Sequence, residues 1–408
     1  MYIPNRHIDF RKPLSPGDAD TLGVAAALEV ERFLSFREHH APTPLHSLPG
    51  LAAELSIEAI HIKDEGHRLG LGSFKALGGA YAVIRLVLEE ASKQLARQVD
   101  VSELHAAEVR AIAEKMTMAC ATDGNHGRSV AQGAQLAGAK AVILVHAGVS
   151  AERVAAIANF GAQMIHVEGT YDDSLAEATN RAAANGWIVV SDTSWPGYER
   201  IPAMVMQGYT VMVREALQQL PETPTHVFVQ AGVGGIAAAV AGHLAIALGA
   251  NRPRFIVVDP SRAACLFESA KAGHAVKIAA SEPTVMAMLE CYQPSQIAWR
   301  ILSRLADGFM IVEDADAVAA MNRLARPVAG DPVIIAGESG AAGLAGLVLA
   351  ATTADTRKLA GLDRASRVFV INTEGATDPG RYAELVGIRP DGTPIAAPDT
   401  SVGDRKPY

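Results

Sequence analysis

At 408 residues the chain is too long for one compact core, so two domains, or one large α/β unit with a subdomain, are expected. Its composition is 49% hydrophobic but only 5% aromatic, a core of Ala, Val, Ile and Leu that suits helices on a parallel sheet better than a β-sandwich. A net charge of −8 argues against a nucleic-acid binder, which needs a basic face.

The three cysteines, Cys120, Cys265 and Cys291, have neither the spacing of a disulfide framework nor that of a zinc site, and they fit a reducing compartment. Met1 to Arg6 holds no apolar signal core. The run from Ile236 to Ala250 is too short for a membrane span and carries His243. These features set the expectation of a soluble, cytoplasmic protein.

In chain order, residues 1–50 are rich in proline and charge, with a helix expected from Ala25 to Glu38. Ala41 to Leu45 is extended, because each proline restricts the residue before it. A short strand is expected over Ile57 to Lys63, then a turn into Leu71-Gly72-Ser73-Phe74-Lys75-Ala76. Helical patterns follow at Phe74–Lys93 and Glu103–Lys115, and the charged interval Ala91–Ser102 reads as an exposed insertion.

From Met116 onward strands and alanine-rich helices alternate. One series of strands is expected at Met116–Ala121, Ala141–His146, Gln163–Val167 and Trp187–Ser191. A second is expected at His226–Gln230, Arg254–Val258, Gly308–Val312 and Arg367–Ile371. The rhythm predicts right-handed βαβ crossovers and two parallel-sheet units, an α/β fold. The tail after Gly387, rich in Pro, Asp and Thr, reads as loosely attached.

Lys75 stands among small residues just after a glycine turn, at the start of an apolar helix. There a ligand can approach the backbone, and the lysine is a candidate Schiff-base nucleophile. Gln230-Ala231-Gly232-Val233-Gly234-Gly235-Ile236 follows a strand and opens a helix, so consecutive N–H groups face a phosphate. The same loop satisfies G-x-G-x-x-A, and Asp259 ends the next strand as a ribose-binding acid does. A nicotinamide oxidoreductase therefore stays open on this motif, although it leaves Lys75 without a role.

Ala121-Thr122-Asp123-Gly124-Asn125-His126-Gly127 places hydroxyl, carboxylate and amide groups at a strand's carboxyl end. An Asx turn capping the next helix accounts for Asp123 equally well, and His126 reads as a cap or packing residue. Two further strand ends carry Ser191-Asp192-Thr193-Ser194-Trp195 and Asn372-Thr373-Glu374-Gly375. Asp192 has a structural-turn reading of its own.

Ser73-Phe74-Lys75, Thr122 to Gly127, the Gly232–Gly235 loop and Thr373 resemble the cofactor frame of fold-type II (tryptophan synthase β-like) pyridoxal-phosphate enzymes. Ala121–Arg128, Val190–Tyr198 and Thr373-Glu374-Gly375 are more narrowly similar to the diaminopropionate ammonia-lyases, over nearly the whole chain from Tyr2 to Leu385. The resemblance implies a cytoplasmic homodimeric lyase acting on an amino acid, with pyridoxal phosphate as cofactor. It implies a larger cofactor-binding domain (1–85 plus 210–400), a smaller mobile one (86–209) and a tail (401–408).

The implied roles are as follows. Lys75 carries the cofactor's aldehyde and later moves a proton. The backbone of Gly232, Val233, Gly234, Gly235 and Ile236 binds the phosphate. Asn125 bonds the phenolic oxygen and Thr373 faces the pyridine nitrogen. Thr122 holds the substrate carboxylate, Asp123 takes the Cα proton of a D-substrate on the face opposite Lys75, and Asp192 recognises or protonates the leaving group. Two aspartates suit a β-amino leaving group, since ammonia departs from an ammonium that a carboxylate positions and stabilises.

The chain departs from that family at one segment. Where the family has Met-Ala-Gly-Leu-(small)-Cys-Gly-Glu-Pro, it reads Met286-Ala287-Met288-Leu289-Glu290-Cys291-Tyr292-Gln293-Pro294. Ala376 likewise replaces an aspartate. Such changes beside the expected substrate mouth bear on which amino acid fits, and a serine/threonine dehydratase or another β-eliminating enzyme is the near alternative. A non-catalytic amino-acid-binding module that kept the fold is a third. Cys265 and Cys291 are expected near that mouth, as two inert thiols more readily than as a redox pair.

Overall fold

The computed structural model describes residues 1–38, 40–122 and 124–394. Among the described residues eleven strands run β1 (Tyr2–Pro4), β2 (Leu45–Ser47), β3 (Ala59–Asp64), β4 (Thr117–Ala121), β5 (Lys140–His146), β6 (Gln163–Val167), β7 (Ile188–Val189), β8 (His226–Gln230), β9 (Arg254–Pro260), β10 (Gly308–Val312) and β11 (Arg367–Asn372). They form a seven-stranded sheet, ordered β1-β10-β9-β8-β11-β3-β2, and a four-stranded sheet, ordered β6-β5-β4-β7. Every pairing is parallel except β1 with β10 and β2 with β3 at the edges of the larger sheet. Strands such as β8 are buried along their full length, as helices on both faces of a parallel sheet require.

All nine expected strands are present, three of them with the expected bounds. The edge strands β1 and β2 were not anticipated. Each has three residues, and Pro4 ends β1, so neither carries a readable alternation. The expected strand at Trp187–Ser191 shrinks to β7, because the Tyr198 hydroxyl accepts the Ser191 N–H at 3.1 Å and turns the chain toward Asp192. The expected helix at Glu103–Lys115 is a 3₁₀ turn, Val101–Glu103, followed by a helix from Ala107 to Ala113. Nor is Ala91–Ser102 an exposed insertion, since Ala91, Val99 and Val101 are buried in the main core.

The helix Lys75–Gln94 is buried along most of its length. It packs on the helix Arg200–Gln219 so closely that a Cβ at Gly208 would stand 2.6 Å from the Leu77 carbonyl oxygen. On its other side it meets the helix Asn125–Ala137, where a Cβ at Gly133 would stand 2.7 Å from Ala80 Cα. Helices Lys75–Gln94 and Arg200–Gln219 both run unbroken, through residues 85–86 and 209–210.

Beneath the Lys75 loop lies a buried charge cluster. The Arg68 guanidinium donates to both carboxylate oxygens of Glu65 at 2.8 Å and to both of Glu215 at 2.9 and 2.6 Å. Lys63 pairs with Glu215 at 3.0 Å and donates to the Thr43 carbonyl at 2.8 Å. The cluster balances two cations against two anions and ties β3 to the helix Arg200–Gln219. Replacing Arg68 by Met leaves buried anions uncompensated and is expected to cost about 3–5 kcal/mol in urea unfolding. Breaking the half-exposed Arg323–Glu54 pair by Arg323→Ala is expected to cost under about 1 kcal/mol. Equal effects would contradict the assignment.

Candidate active site

The segment after β11 stitches the Lys75 loop in place. Phe74 N–H donates to the Thr373 carbonyl at 3.0 Å, Gly375 N–H to the Gly72 carbonyl at 3.0 Å, and Ser73 bridges to Glu374. Gly72 takes φ +72°, a left-handed conformation that turns the chain into the helix beginning at Lys75. Lys75 is thereby fixed relative to Thr373.

The ends of β4, β7, β8 and β11 open onto one cavity that holds about 850 Å³ outside protein atoms, part of it open to solvent. Around it the structure gathers Lys75, Thr122, Asn125, Asp192, Gly232, Val233, Gly234, Gly235, Ile236 and Thr373. Asp123, expected here as well, lies outside the described residues. Among the described residues, no group of His, Cys, Asp or Glu side chains forms a metal site.

Lys75 Nζ and Asp192 Oδ2 form an ion pair inside this cavity. Burial works against the Lys75 ammonium, but the Asp192 carboxylate more than reverses it, so the lysine pKa is raised. Burial likewise opposes the Asp192 anion and Lys75 overcomes it, holding the carboxyl well below its ordinary range. The Thr122 hydroxyl accepts the N–H groups of Gly124 at 3.0 Å and Gly127 at 2.9 Å, capping the helix Asn125–Ala137. Asn125 donates one amide N–H to Glu374 Oε2 at 2.6 Å, leaving its second for the cavity.

The cavity's polar groups suit a ring-shaped ligand bearing an anion. The helix Gly235–Leu248 begins at Gly234, at φ +97°, with no side chain capping its first turn. A Cβ at Gly232 would come within 2.9 Å of Cys291 Sγ and 3.2 Å of Leu289 Cα, so only glycine brings this loop so close to its neighbours. The buried Glu374 Oε1, His126 Nδ1 and Tyr209 Oη have no protein partner. Such a set fits pyridoxal phosphate: uncapped amides for the phosphate, a lysine for the aldehyde, and neutral and anionic donors and acceptors for the ring.

The lining residues that escaped prediction as site members include Tyr209, Gln230, Glu374 and His126. Tyr209 sits in a helix whose pattern marks it as core, and no sequence signal distinguishes it. Gln230 did carry a signal, as the polar end of an otherwise apolar strand. His126 donates through Nε2 to the Val190 carbonyl at 3.0 Å, which leaves its buried Nδ1 an acceptor without a protein partner, and burial lowers its pKa. Glu374 is raised to about 7 by burial, with Glu338 adding to the shift.

The oxidoreductase reading fails at Asp259. Its Oδ2 accepts the N–H groups of Leu266 at 3.0 Å and Phe267 at 2.8 Å, and it is buried, so it caps a helix and cannot reach a ribose. Burial pushes its pKa up to about 8. Among the departures from the family pattern, Met288 lines the cavity, whereas Glu290 accepts from the Tyr292 hydroxyl at 2.8 Å and both lie outside the lining. Cys265 and Cys291 flank Gly232 without a disulfide, and burial raises the Cys265 thiol well above its ordinary value.

Two pH effects follow. Asp192→Asn removes the charge that holds Lys75 as an ammonium, so the pH midpoint for imine formation with added pyridoxal phosphate is expected to fall; an unchanged midpoint in absorbance titrations would contradict the pairing. Glu374 has a folded pKa above its ordinary 4.5, so the folded state binds more protons and stability drops as pH rises from about 4.5 to about 7. Glu374→Gln is expected to flatten that slope in urea titrations.

Known proteins share this architecture. The family profile described as "Pyridoxal-phosphate dependent enzyme" matches residues 36–374. Diaminopropionate ammonia-lyase of Escherichia coli (strain K12) is 42% identical over 357 residues, 85% of this chain and 87% of that protein. The Salmonella typhimurium enzyme of the same name is 37% identical over 368 residues, 88% of this chain and 91% of that protein. The crystal structure of the Escherichia coli enzyme in complex with an aminoacrylate-PLP azomethine reaction intermediate superposes with a TM-score of 0.85 at 37% identity, over 95% of this chain and 96% of that one. The chain belongs to the pyridoxal-phosphate dependent enzyme family.

Proposed function

We propose that this protein catalyses the pyridoxal-phosphate-dependent α,β-elimination of 2,3-diaminopropionate to pyruvate and ammonia. The observation that carries this reading is the Asp192 carboxylate paired with Lys75 inside the cavity, an anion beside the reacting lysine that a β-ammonium can take as its own partner. Relatives of the same name, at 42% and 37% identity, support it.

When bound, pyridoxal phosphate supplies an electron sink that eases loss of the Cα proton and the β-substituent. Lys75 would hold the aldehyde through Nζ and, as a neutral amine, would take the Cα proton of an L-substrate. The amides of Gly232, Val233, Gly234, Gly235 and Ile236 hold the phosphate at a helix N-terminus. Asn125 would donate to the phenolic oxygen and Thr373 to the ring nitrogen. Thr122 and neighbouring amides orient the substrate carboxylate. Asp123, on the family resemblance, takes the Cα proton of a D-substrate, and Asp192 holds the departing ammonium. Water then converts the released enamine to pyruvate and a second ammonia.

On the same reading the enzyme is a cytoplasmic homodimer, with a larger unit (1–85 plus 210–400) and a smaller mobile one (86–209) whose closure excludes water. The dimer rests on the family resemblance, and the location on three cysteines without disulfides. Among the described residues no helix is long and apolar enough to cross a membrane.

The test is keto-acid release with added pyridoxal phosphate, comparing D- and L-diaminopropionate with D- and L-serine and threonine. Preference for diaminopropionate, abolished in Lys75→Ala and lost for the D-isomer alone in Asp123→Asn, is the expected outcome. Turnover of hydroxy amino acids only would replace this reading by a dehydratase, with Met288 the first residue to revert.

A further inference from the structure

Gln230 ends β8, fully buried, with its amide nitrogen among four acceptors. These are the backbone carbonyls of Ser339 at 3.1 Å, Gly340 at 2.9 Å and Ile371 at 3.1 Å, and the Thr373 hydroxyl oxygen at 2.9 Å. Three carbonyl oxygens cannot face a fourth oxygen, so the amide has one admissible orientation, with NH₂ toward Thr373. Gly343 makes room for it: a Cβ there would stand 2.6 Å from Gln230 Oε1.

The amide has two N–H groups for these four acceptors, and its nitrogen donates but never accepts. Gln230 Oε1 has no partner, so the Thr373 proton points away from Gln230. No described residue accepts that proton, and Thr373 lines the cavity. A serine or threonine without such a neighbour can turn its proton in any direction, whereas here the side toward Gln230 is closed to it.

We propose that Gln230 is a positioning residue that sets the Thr373 hydroxyl as a donor into the cavity, and so holds the ring nitrogen of bound pyridoxal phosphate as an unprotonated acceptor. The proposal rests on the reading in which that nitrogen faces Thr373. An unprotonated nitrogen is the weaker electron sink, which favours prompt loss of a β-substituent over return of a proton to Cα. Gln230 touches neither ring nor substrate in this scheme and acts only through Thr373.

The experiment reconstitutes the enzyme with pyridoxal phosphate ¹⁵N-labelled in the ring and records the nitrogen shift together with cofactor affinity. Wild type, Gln230→Met, Thr373→Val and the double variant are compared. Wild type is expected to show an unprotonated, hydrogen-bonded nitrogen. Each single variant should move the shift toward that of a nitrogen without a donor and weaken affinity by roughly 3- to 10-fold, the double no further. An analogue with carbon in place of the ring nitrogen should bind wild type and Gln230→Met alike. If Thr373→Val leaves the shift unmoved, the placement of the ring is wrong and the proposal falls with it. If Thr373→Val moves the shift while Gln230→Met does not, or the two effects add, Gln230 has no such role. Should Gln230→Met fail to fold, the near-isosteric Gln230→Glu takes its place, and a protonated nitrogen in wild type overturns the proposal by itself.

Discussion

Everything at this site depends on how closely the Lys75 helix approaches its two neighbours. Gly208 meets Leu77 and Gly78 at backbone range on one side, and Gly133 meets Ala80 on the other. Larger side chains would hold these helices at the usual separation of 8–10 Å, and the strand ends they follow would spread apart. Here the lysine at the start of one helix and the amides at the start of another share one cavity wall. Interiors are close-packed and relax only partly, so an added methyl at such a crossing costs about 1–3 kcal/mol and displaces the lysine with it. The alanine-rich composition is therefore a requirement of the site as well as of the core.

Within that frame the polar groups divide by charge. One wall carries the Lys75 and Asp192 ions. The wall at the end of β8 and β11 carries neutral donors, Gln230 and Thr373, with no cation among them. Low local dielectric strengthens the ion pair and makes any uncompensated ion costly. Glu374 stands between the two, raised to about 7 and bonded to Asn125. Groups whose surroundings push their pKa values apart are the ones to which acid and base roles belong.

Sequence reasoning reached the strands buried on both faces and the loops that follow them, because continuous β-branched runs ending in glycine, hydroxyl or carboxylate residues are short-range signals. It missed β1 and β2, which have three residues each; β1 also pairs far along the chain, Tyr2 with Met310. Asp259 shows the opposite failure. Its position after a strand fits a ribose acid, and only the two N–H groups from Leu266 and Phe267 reveal a helix cap. Tyr209 and the orientation of Gln230 depend on which helix and which carbonyls stand opposite, and no local pattern encodes that. Glu290 and Tyr292 changed relative to the family, but they satisfy each other away from the cavity. Only the structure separates them from Met288.

The Lys75–Asp192 pair also bears on which substrate can be processed under the proposed elimination. Without the cofactor, Asp192 raises the Lys75 pKa and keeps it an ammonium; once Lys75 holds the cofactor's aldehyde, that ammonium is gone. A carboxylate left in this cavity without a cation would be expensive, so Asp192 then favours a substrate that brings a positive charge. The β-ammonium of diaminopropionate is such a charge, and its pairing places the future leaving group against Asp192. Serine and threonine bring a hydroxyl, which cannot neutralise Asp192. Selection then comes from the charge the substrate brings to Asp192, with the shape of the pocket around Met288 acting second.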